Sequence, residues 1–88
     1  MQGPFMIMRS PNELALIAVN QRKRLGLSQG EVADRVGLKQ KTISAFENKP
    51  ESTKLGTVFL ILSALHLDLK ALSKDKDNDD LTNWDQEW

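Results

Sequence analysis

The sequence contains no cysteine and only one histidine among its 88 residues. Without cysteine the chain can form neither a disulfide framework nor a thiolate metal site. A single histidine leaves few side chains for a metal centre or for acid–base chemistry. The sequence also offers no nucleophile–base set and no phosphate-binding loop. We therefore predict no catalytic residues, no metal, no cofactor and no enzymatic activity.

Long apolar runs are also missing. The sequence has no segment of membrane-spanning length, and its start lacks the basic-then-apolar pattern of a signal peptide. These features predict a cytoplasmic protein without a membrane partner. A chain of this length buries one small core, so dimerisation would add stability.

The formal net charge of zero hides an uneven distribution. Residues 1–73 contain ten Lys/Arg and six Asp/Glu, whereas residues 74–88 contain two Lys and six Asp/Glu. A basic body with an acidic appendage is typical of nucleic-acid-binding proteins.

The most informative stretch is Leu27–Asn48, which reads LSQGEVADRVGLKQKTISAFEN. Ser28 and Glu31 have the spacing of a capping box, which predicts the start of a helix. Gly37 can adopt the left-handed conformation that ends such a helix. A second short helix follows, so the stretch predicts a helix-turn-helix. The residues expected to face inward are Val32, Ala33, Val36, Ile43 and Phe46.

The outward face of this second helix indicates the function. Its side chains are long donors and small hydroxyls, which suit base edges in the DNA major groove. The residues predicted to contact bases are Lys39, Gln40, Lys41 and Ser44. The alternative is a solvated basic face, because short helix pairs with a glycine turn also occur in folds that bind no DNA.

The segment RLGLSQGEVADRVGLKQKTISAFENKP resembles the repressor-like helix-turn-helix domains related to the lambda and Cro repressors. More closely, the chain is similar to HipB-type antitoxins in the segment GLKQKTISAFENKPESTKL, in its length and in a charged tail ending Glu87-Trp88. This resemblance implies a homodimer that binds double-stranded operator DNA and neutralises a HipA-type serine/threonine kinase toxin. It also implies repression of the pair's own promoter.

The resemblance further implies contacts to the DNA backbone, and a helix N-terminus is a suitable phosphate site. The predicted phosphate contacts are Ser28, Gln29, Thr42, Asn48 and Lys49. For Gln29 the alternative is an ordinary helix-start residue. In related repressors the position of Arg22 pairs with that of Glu47, so we expect a structural role for both. Two further cations, Lys23 and Arg24, could stabilise the helix dipole or face phosphates.

Two more helices and a strand complete the expected fold. Ser10 and Pro11 predict the start of a first helix that runs to about Leu25. Thr53 is expected to cap a last helix. This helix is apolar on more than one face, which suggests that one face packs on the core and another on a partner subunit. Residues 67–72 alternate as in a strand, which could pair with Phe5–Met8 or, as the resemblance implies, with its twin across a dimer. The predicted dimerisation residues are Phe59, Leu62, Leu67, Leu69 and Ala71.

The acidic residues 74–88 are expected to be a disordered tail. Trp84 and Trp88 are unusual in such a segment, since large aromatic side chains commonly anchor a partner. The resemblance implies toxin contact or delivery to a cytoplasmic protease. The alternative is an unstructured end with two chance tryptophans.

Together these observations predict an all-α fold: a lambda repressor-like helix-turn-helix domain of four helices plus a short strand paired across a dimer. The expected organisation is an arm over residues 1–9, a DNA-binding and dimerisation domain over 10–73, and the tail over 74–88. The expected location is cytoplasmic and nucleoid-associated. The remaining alternative function is a free-standing phage-type or metabolic repressor without a toxin.

Overall fold

The computed structural model describes residues 6–74. Four α-helices follow one another: α1 (Pro11–Arg24), α2 (Gln29–Val36), α3 (Gln40–Asn48) and α4 (Leu55–Ala64). A 3-10 turn, Pro50–Ser52, lies between the last two helices. The all-α architecture of four helices is therefore confirmed. No helix within residues 6–74 is long and apolar enough to cross a membrane.

The first two helices begin where their sequences predict. The Ser10 hydroxyl accepts a hydrogen bond from the Glu13 N–H at 3.1 Å, with Pro11 at the first helical position. At α2 the Ser28 hydroxyl accepts from the Glu31 N–H at 3.0 Å, and the Ser28 N–H donates to the Glu31 carboxylate at 2.8 Å. This reciprocal pair is a complete capping box, which satisfies two backbone donors that the helix leaves open.

Three of the four α-helices end in a left-handed residue followed by a leucine. The backbone φ angle is 72° at Gly26, 70° at Gly37 and 59° at His66. Each following leucine donates its N–H to the carbonyl five residues back, at 2.9–3.0 Å; the bonds are Leu27 to Arg22, Leu38 to Ala33 and Leu67 to Leu62. All three leucines pack partly buried against the core. Each turn is therefore held by a hydrogen bond and an apolar contact together.

The core lies where the four helices meet. Its largest fully buried side chains are Val32, Ile43, Phe46, Ile61 and Leu65. The predicted inward residues Ala33 and Val36 are buried and partly buried, respectively. Among residues 6–74, no polar or charged side chain is buried. Because Ile43 and Phe46 fix the inner face of α3, its opposite face is directed to solvent.

The start of α4 differs from the prediction. Lys54, not Thr53, is the N-cap residue, and it makes no side-chain capping hydrogen bond. Thr53 instead closes the 3-10 turn, with its N–H donating to the Pro50 carbonyl at 3.1 Å. The extra turn after Pro50 therefore delays the helix beyond the residue that the sequence pattern favoured.

The predicted dimerisation set is also corrected at one position. Leu62 is 2% exposed and belongs to the protomer's own core, so it cannot contribute to an intersubunit surface. Phe59 is 51% exposed, and Leu69 and Ala71 are exposed as well, whereas Leu67 packs partly against the core. The helix is apolar nearly all round, so the sequence alone did not separate its inner and outer faces.

Residues 67–72 form no strand in the single chain, and neither do residues 6–8. The expected pairing between this segment and the N-terminal run is therefore not present among the described residues. A strand needs a neighbour to be stable. Pairing across a dimer stays a prediction.

Candidate nucleic-acid interface

The start of α3 presents three exposed side chains in succession, Lys39, Gln40 and Lys41. Lys39 is the N-cap residue and makes no side-chain capping hydrogen bond, and the first turn of α3 contains no acidic residue. The N-terminal residues of a recognition helix are the ones that reach base edges. The structure therefore brings three of the four predicted base-reading residues to one exposed end of one helix.

Ser44, the fourth predicted base contact, is placed differently. It is half-buried, and both its carbonyl and its hydroxyl oxygen accept hydrogen bonds from the Asn48 amide, at 2.9 and 3.2 Å. The predicted phosphate contact Asn48 thus already uses its amide donor within α3. The Ser44 hydroxyl hydrogen is still available, because this oxygen acts as the acceptor.

A chain of hydrogen bonds connects the tip of α3 to the end of α1. The Gln40 amide donates to the Gln29 side-chain oxygen at 3.4 Å, and the Gln29 amide donates to Glu47 at 2.9 Å. Glu47 in turn accepts two hydrogen bonds from the Arg22 guanidinium, at 2.7 and 3.1 Å. Arg22 also donates to the Leu27 carbonyl at 2.9 Å. We call this set the Gln40–Arg22 hydrogen-bond chain; it positions Gln40 from outside its own helix.

The expected structural pairing of Arg22 with Glu47 is confirmed. Both side chains are largely shielded, with 14% and 10% of their surface exposed, respectively. The single carboxylate of α3 is therefore neutralised by α1, and the face of α3 keeps its positive charge.

The predicted phosphate contacts lie around the start of α2 and both ends of α3. Gln29 and Thr42 are half-buried, whereas Ser28 and Lys49 are exposed. The Ser28 hydroxyl oxygen accepts a hydrogen bond from the Glu31 N–H within the capping box. The pKa of Glu31 is lowered by hydrogen bonds from the Ser28 backbone N–H and the Ser28 hydroxyl, and by the charge of Arg35. The carboxylate therefore stays ionised and maintains the capping box.

Two contacts were not anticipated from the sequence. Gln29 bridges Gln40 and Glu47, although its position predicted only a phosphate contact. Arg35 donates to the Ala64 carbonyl at 3.2 Å and so binds the end of α4. Neither contact has a sequence signal, because the partners are 11 to 29 residues apart. Trp84 and Trp88 lie outside the described residues.

No group of His, Asp or Glu side chains in the described part of the chain could hold a metal ion. The arrangement as a whole is a packed helix pair with an exposed, positively charged tip. Such a surface is suited to binding a polyanion with defined donor and acceptor positions.

A comparison with protein-family models matches the helix-turn-helix family over residues 20–72. The matched region includes the whole helix pair and the hydrogen-bond chain as far back as Arg22. The chain therefore belongs to the helix-turn-helix family.

Within that family, the chain groups with the HipB antitoxins. It is 43% identical over 65 residues to antitoxin HipB of Escherichia coli (strain K12), which covers 74% of each chain. The identity to antitoxin HipB of Escherichia coli O6:H1 is also 43%, over 74% of this chain and 69% of the relative. A shorter match, 46% over 56 residues, relates it to antitoxin HigA1 of Mycobacterium tuberculosis (strain H37Rv), covering 64% of this chain and 36% of the relative.

Solved structures agree with this grouping. The chain superimposes on a chain of a HipA-HipB-O2-O3 complex with a TM-score of 0.77 at 39% identity, covering 81% of this chain and 100% of the other. A chain of a HipB-O4 20mer complex gives the same TM-score, identity and coverage. Both the sequence and the fold therefore support the HipB grouping.

Proposed function

We propose that this chain is the antitoxin of a HipBA-like toxin–antitoxin pair, a homodimeric repressor that binds operator DNA and a HipA-type serine/threonine kinase. Support comes from the HipB relatives and from structures in which HipB accompanies HipA or a 20mer. The proposed role is binding rather than catalysis. It places the protein on DNA, in the cytoplasm and associated with the nucleoid.

The central observation is the exposed tip of α3. Gln40 is oriented by the Gln40–Arg22 hydrogen-bond chain, which reduces the side-chain entropy that base recognition would cost. A glutamine amide pairs with adenine N6 and N7, and a lysine pairs with guanine O6 and N7. We propose that Gln40 reads adenine, and that Lys39 and Lys41 read guanine. Ser44 stays a proposed base contact through its hydroxyl hydrogen.

The backbone contacts are proposed around this tip. Exposed Lys49 lies just after α3, and Gln29 at the start of α2 has its backbone N–H in the first helical turn. Backbone donors and the helix dipole favour a phosphate there. Ser28, Thr42 and Asn48 complete the proposed set. These contacts would fix the register of α3 without selecting a sequence.

The proposed dimer uses the outer face of α4 and the segment that follows it. Phe59, Leu60, Leu69 and Leu72 are each at least 43% exposed, so α4 and the segment after it leave several large apolar side chains uncovered. Leu67 and Ala71 lie in the same segment. Two-fold symmetry would place two α3 helices in major grooves one helical turn apart, about 34 Å, or a multiple of it. Residues 10–73 would thus form the DNA-binding and dimerisation unit, flanked by an arm and a tail.

The toxin contact is proposed to involve the tail. Trp84 and Trp88 are the only tryptophans of the chain and lie within its acidic end. A tryptophan can bury a large apolar area in one pocket of a partner. The same residues are candidates for recognition by a cytoplasmic protease.

A pull-down from the native host tests the proposal. The tagged full chain is expected to retain a HipA-like kinase together with DNA from upstream of its own gene. A Gln40→Ala/Lys41→Ala variant is expected to lose the DNA and keep the kinase. Recovery of the DNA without any kinase would contradict the antitoxin role and favour a free-standing repressor. Recovery of neither would contradict the proposal as a whole.

A further inference from the structure

The exposed cations of the α3 face form no described ion pair. Lys39, Lys41 and Lys49 are exposed, and the one carboxylate of α3, Glu47, is paired with Arg22. Over this range the chain contains eleven Lys/Arg and six Asp/Glu. The surface proposed to bind DNA is therefore a positive face that attracts any polyanion within reach.

One polyanion is part of the same chain. Residues 75–88, DKDNDDLTNWDQEW, contain six Asp/Glu and one Lys, so their charge is equal and opposite to that of residues 6–74 before the terminal carboxylate is counted. Four of the carboxylates, Asp75, Asp77, Asp79 and Asp80, fall within six residues. This density of negative charge is of the order found along one nucleic-acid strand, where phosphates are about 3.4 Å apart along the helix axis.

The length of the acidic segment allows contact. Fourteen extended residues span at most about 50 Å, whereas the longest dimension of the protein is 41 Å. The acidic segment can therefore reach the α3 face of its own protomer. Because it is covalently attached, its effective concentration there is of the order of mM.

We propose that the acidic segment 75–88 binds the positive α3 face of the free protein and competes with DNA for it. This inference rests on the proposed DNA-binding function and adds a regulatory role for the tail. A competitor of this kind weakens binding to all DNA at low salt. A partner that binds the tail would release the face and so strengthen DNA binding.

The first test uses the free full-length chain. Both tryptophans of the chain lie in residues 75–88. Their indole N–H signals in a ¹H–¹⁵N NMR spectrum therefore report on this segment alone, and the backbone amide signals of the same residues add to them. Lys41→Gln is expected to shift these signals toward their positions in 0.5 M salt, where charge attraction is screened. Arg9→Gln also removes one exposed cation, but outside the α3 face, and is expected to leave the signals in place.

The second test measures DNA affinity. Replacing Asp75, Asp77, Asp79 and Asp80 by Asn in the full chain is expected to tighten binding about ten-fold at 50 mM salt, on operator and on scrambled DNA alike. The gain should vanish at 0.5 M salt. A Trp84→Ala/Trp88→Ala control keeps every charge and should bind DNA like the wild type.

The combined outcomes are decisive. One outcome is that the tail signals stay in place in Lys41→Gln while the Asp→Asn variant binds DNA more tightly. This result would mean that the tail repels DNA at a distance without binding the α3 face, and it would overturn the proposal. Unchanged affinity of that variant would also overturn it. If the wild-type chain binds no DNA at any salt concentration, the proposed function itself fails. The NMR test still decides separately whether the segment contacts the α3 face.

Discussion

Arg22 of α1 and Glu47 of α3 are 25 residues apart in sequence and joined by two hydrogen bonds, of 2.7 and 3.1 Å. Since both side chains are largely shielded from water, each depends on the other for its solvation. The pair joins α1 to α3, and Gln29 and Gln40 are aligned through it. Stability and the orientation of the α3 tip therefore share one interaction.

Removing Glu47 should lower stability and loosen this tip. Glu47→Ala leaves a shielded guanidinium unpaired, and we expect the free energy of unfolding to fall by about 1.5–3 kcal/mol. Urea denaturation measures the loss. Glu51→Ala, an exposed carboxylate outside any described ion pair, serves as the control and should change stability by less than about 0.5 kcal/mol. Equal effects of the two substitutions would contradict the structural role of the pair.

The cap of α2 should show a defined pH dependence. The pKa of Glu31 is lowered below 4.5 by its hydrogen bonds with Ser28 and by Arg35, so the folded state favours the carboxylate over the acid. The resulting stabilisation is present above the pKa of the unfolded chain and is lost as the pH falls through the lower folded value. Glu31→Gln should therefore melt below the wild type at pH 7, and the difference in Tm should shrink in the acidic range. A pH-independent difference would contradict this origin.

His66 occupies a left-handed position that favours glycine. With φ at 59° and the Leu67 N–H bonded back to the Leu62 carbonyl, the conformation is fixed by the turn that ends α4. A residue with a side chain carries roughly 1–2 kcal/mol of strain at this φ. Glycine avoids the strain, but the larger conformational entropy of its unfolded chain offsets part of the gain. We expect His66→Gly to raise the free energy of unfolding by about 0.5–1 kcal/mol. His66→Val is the matched variant and should lower it, because a β-branched residue tolerates this φ poorly.

The faces of α4 make different contributions, which two substitutions separate. Phe59→Ser alters an exposed side chain and should convert the proposed dimer to a monomer in analytical ultracentrifugation. The circular dichroism spectrum should remain that of a folded helical protein. Leu62→Ala opens a cavity in the core and should cost about 2–5 kcal/mol. A dimer that persists in Phe59→Ser would place the interface elsewhere.

Local interactions explain why much of the fold was predictable. The helix caps and glycine turns join residues three to five apart, as Ser28 with Glu31 and Ala33 with Leu38 do. Such short spacings are visible in the sequence. The inner residues Ile43 and Phe46 followed from helical spacing. These elements also fixed which side chains of α3 face outward.

Long-range and degenerate features explain the rest. Gln29 bridges two helices through contacts that no spacing rule encodes. In α4 nearly every position is apolar, so hydrophobic pattern could not distinguish buried Leu62 from exposed Phe59. The left-handed His66 was missed because glycine is the usual residue there. The 3-10 turn after Pro50 displaced the cap expected at Thr53.

The most direct test of the account is DNA binding measured by fluorescence anisotropy, with DNA from upstream of the gene and a scrambled duplex of equal composition. Gln40→Ala should weaken binding to the upstream DNA by about 1–3 kcal/mol and leave binding to the scrambled duplex unaffected. Lys41→Ala should have the same effect and should in addition relax a preference for guanine. Lys49→Ala, the backbone control, should weaken both duplexes alike and reduce the salt slope by about one. If Gln40→Ala and Lys41→Ala bind the upstream DNA as well as the wild type does, or weaken both duplexes equally, α3 does not read the sequence.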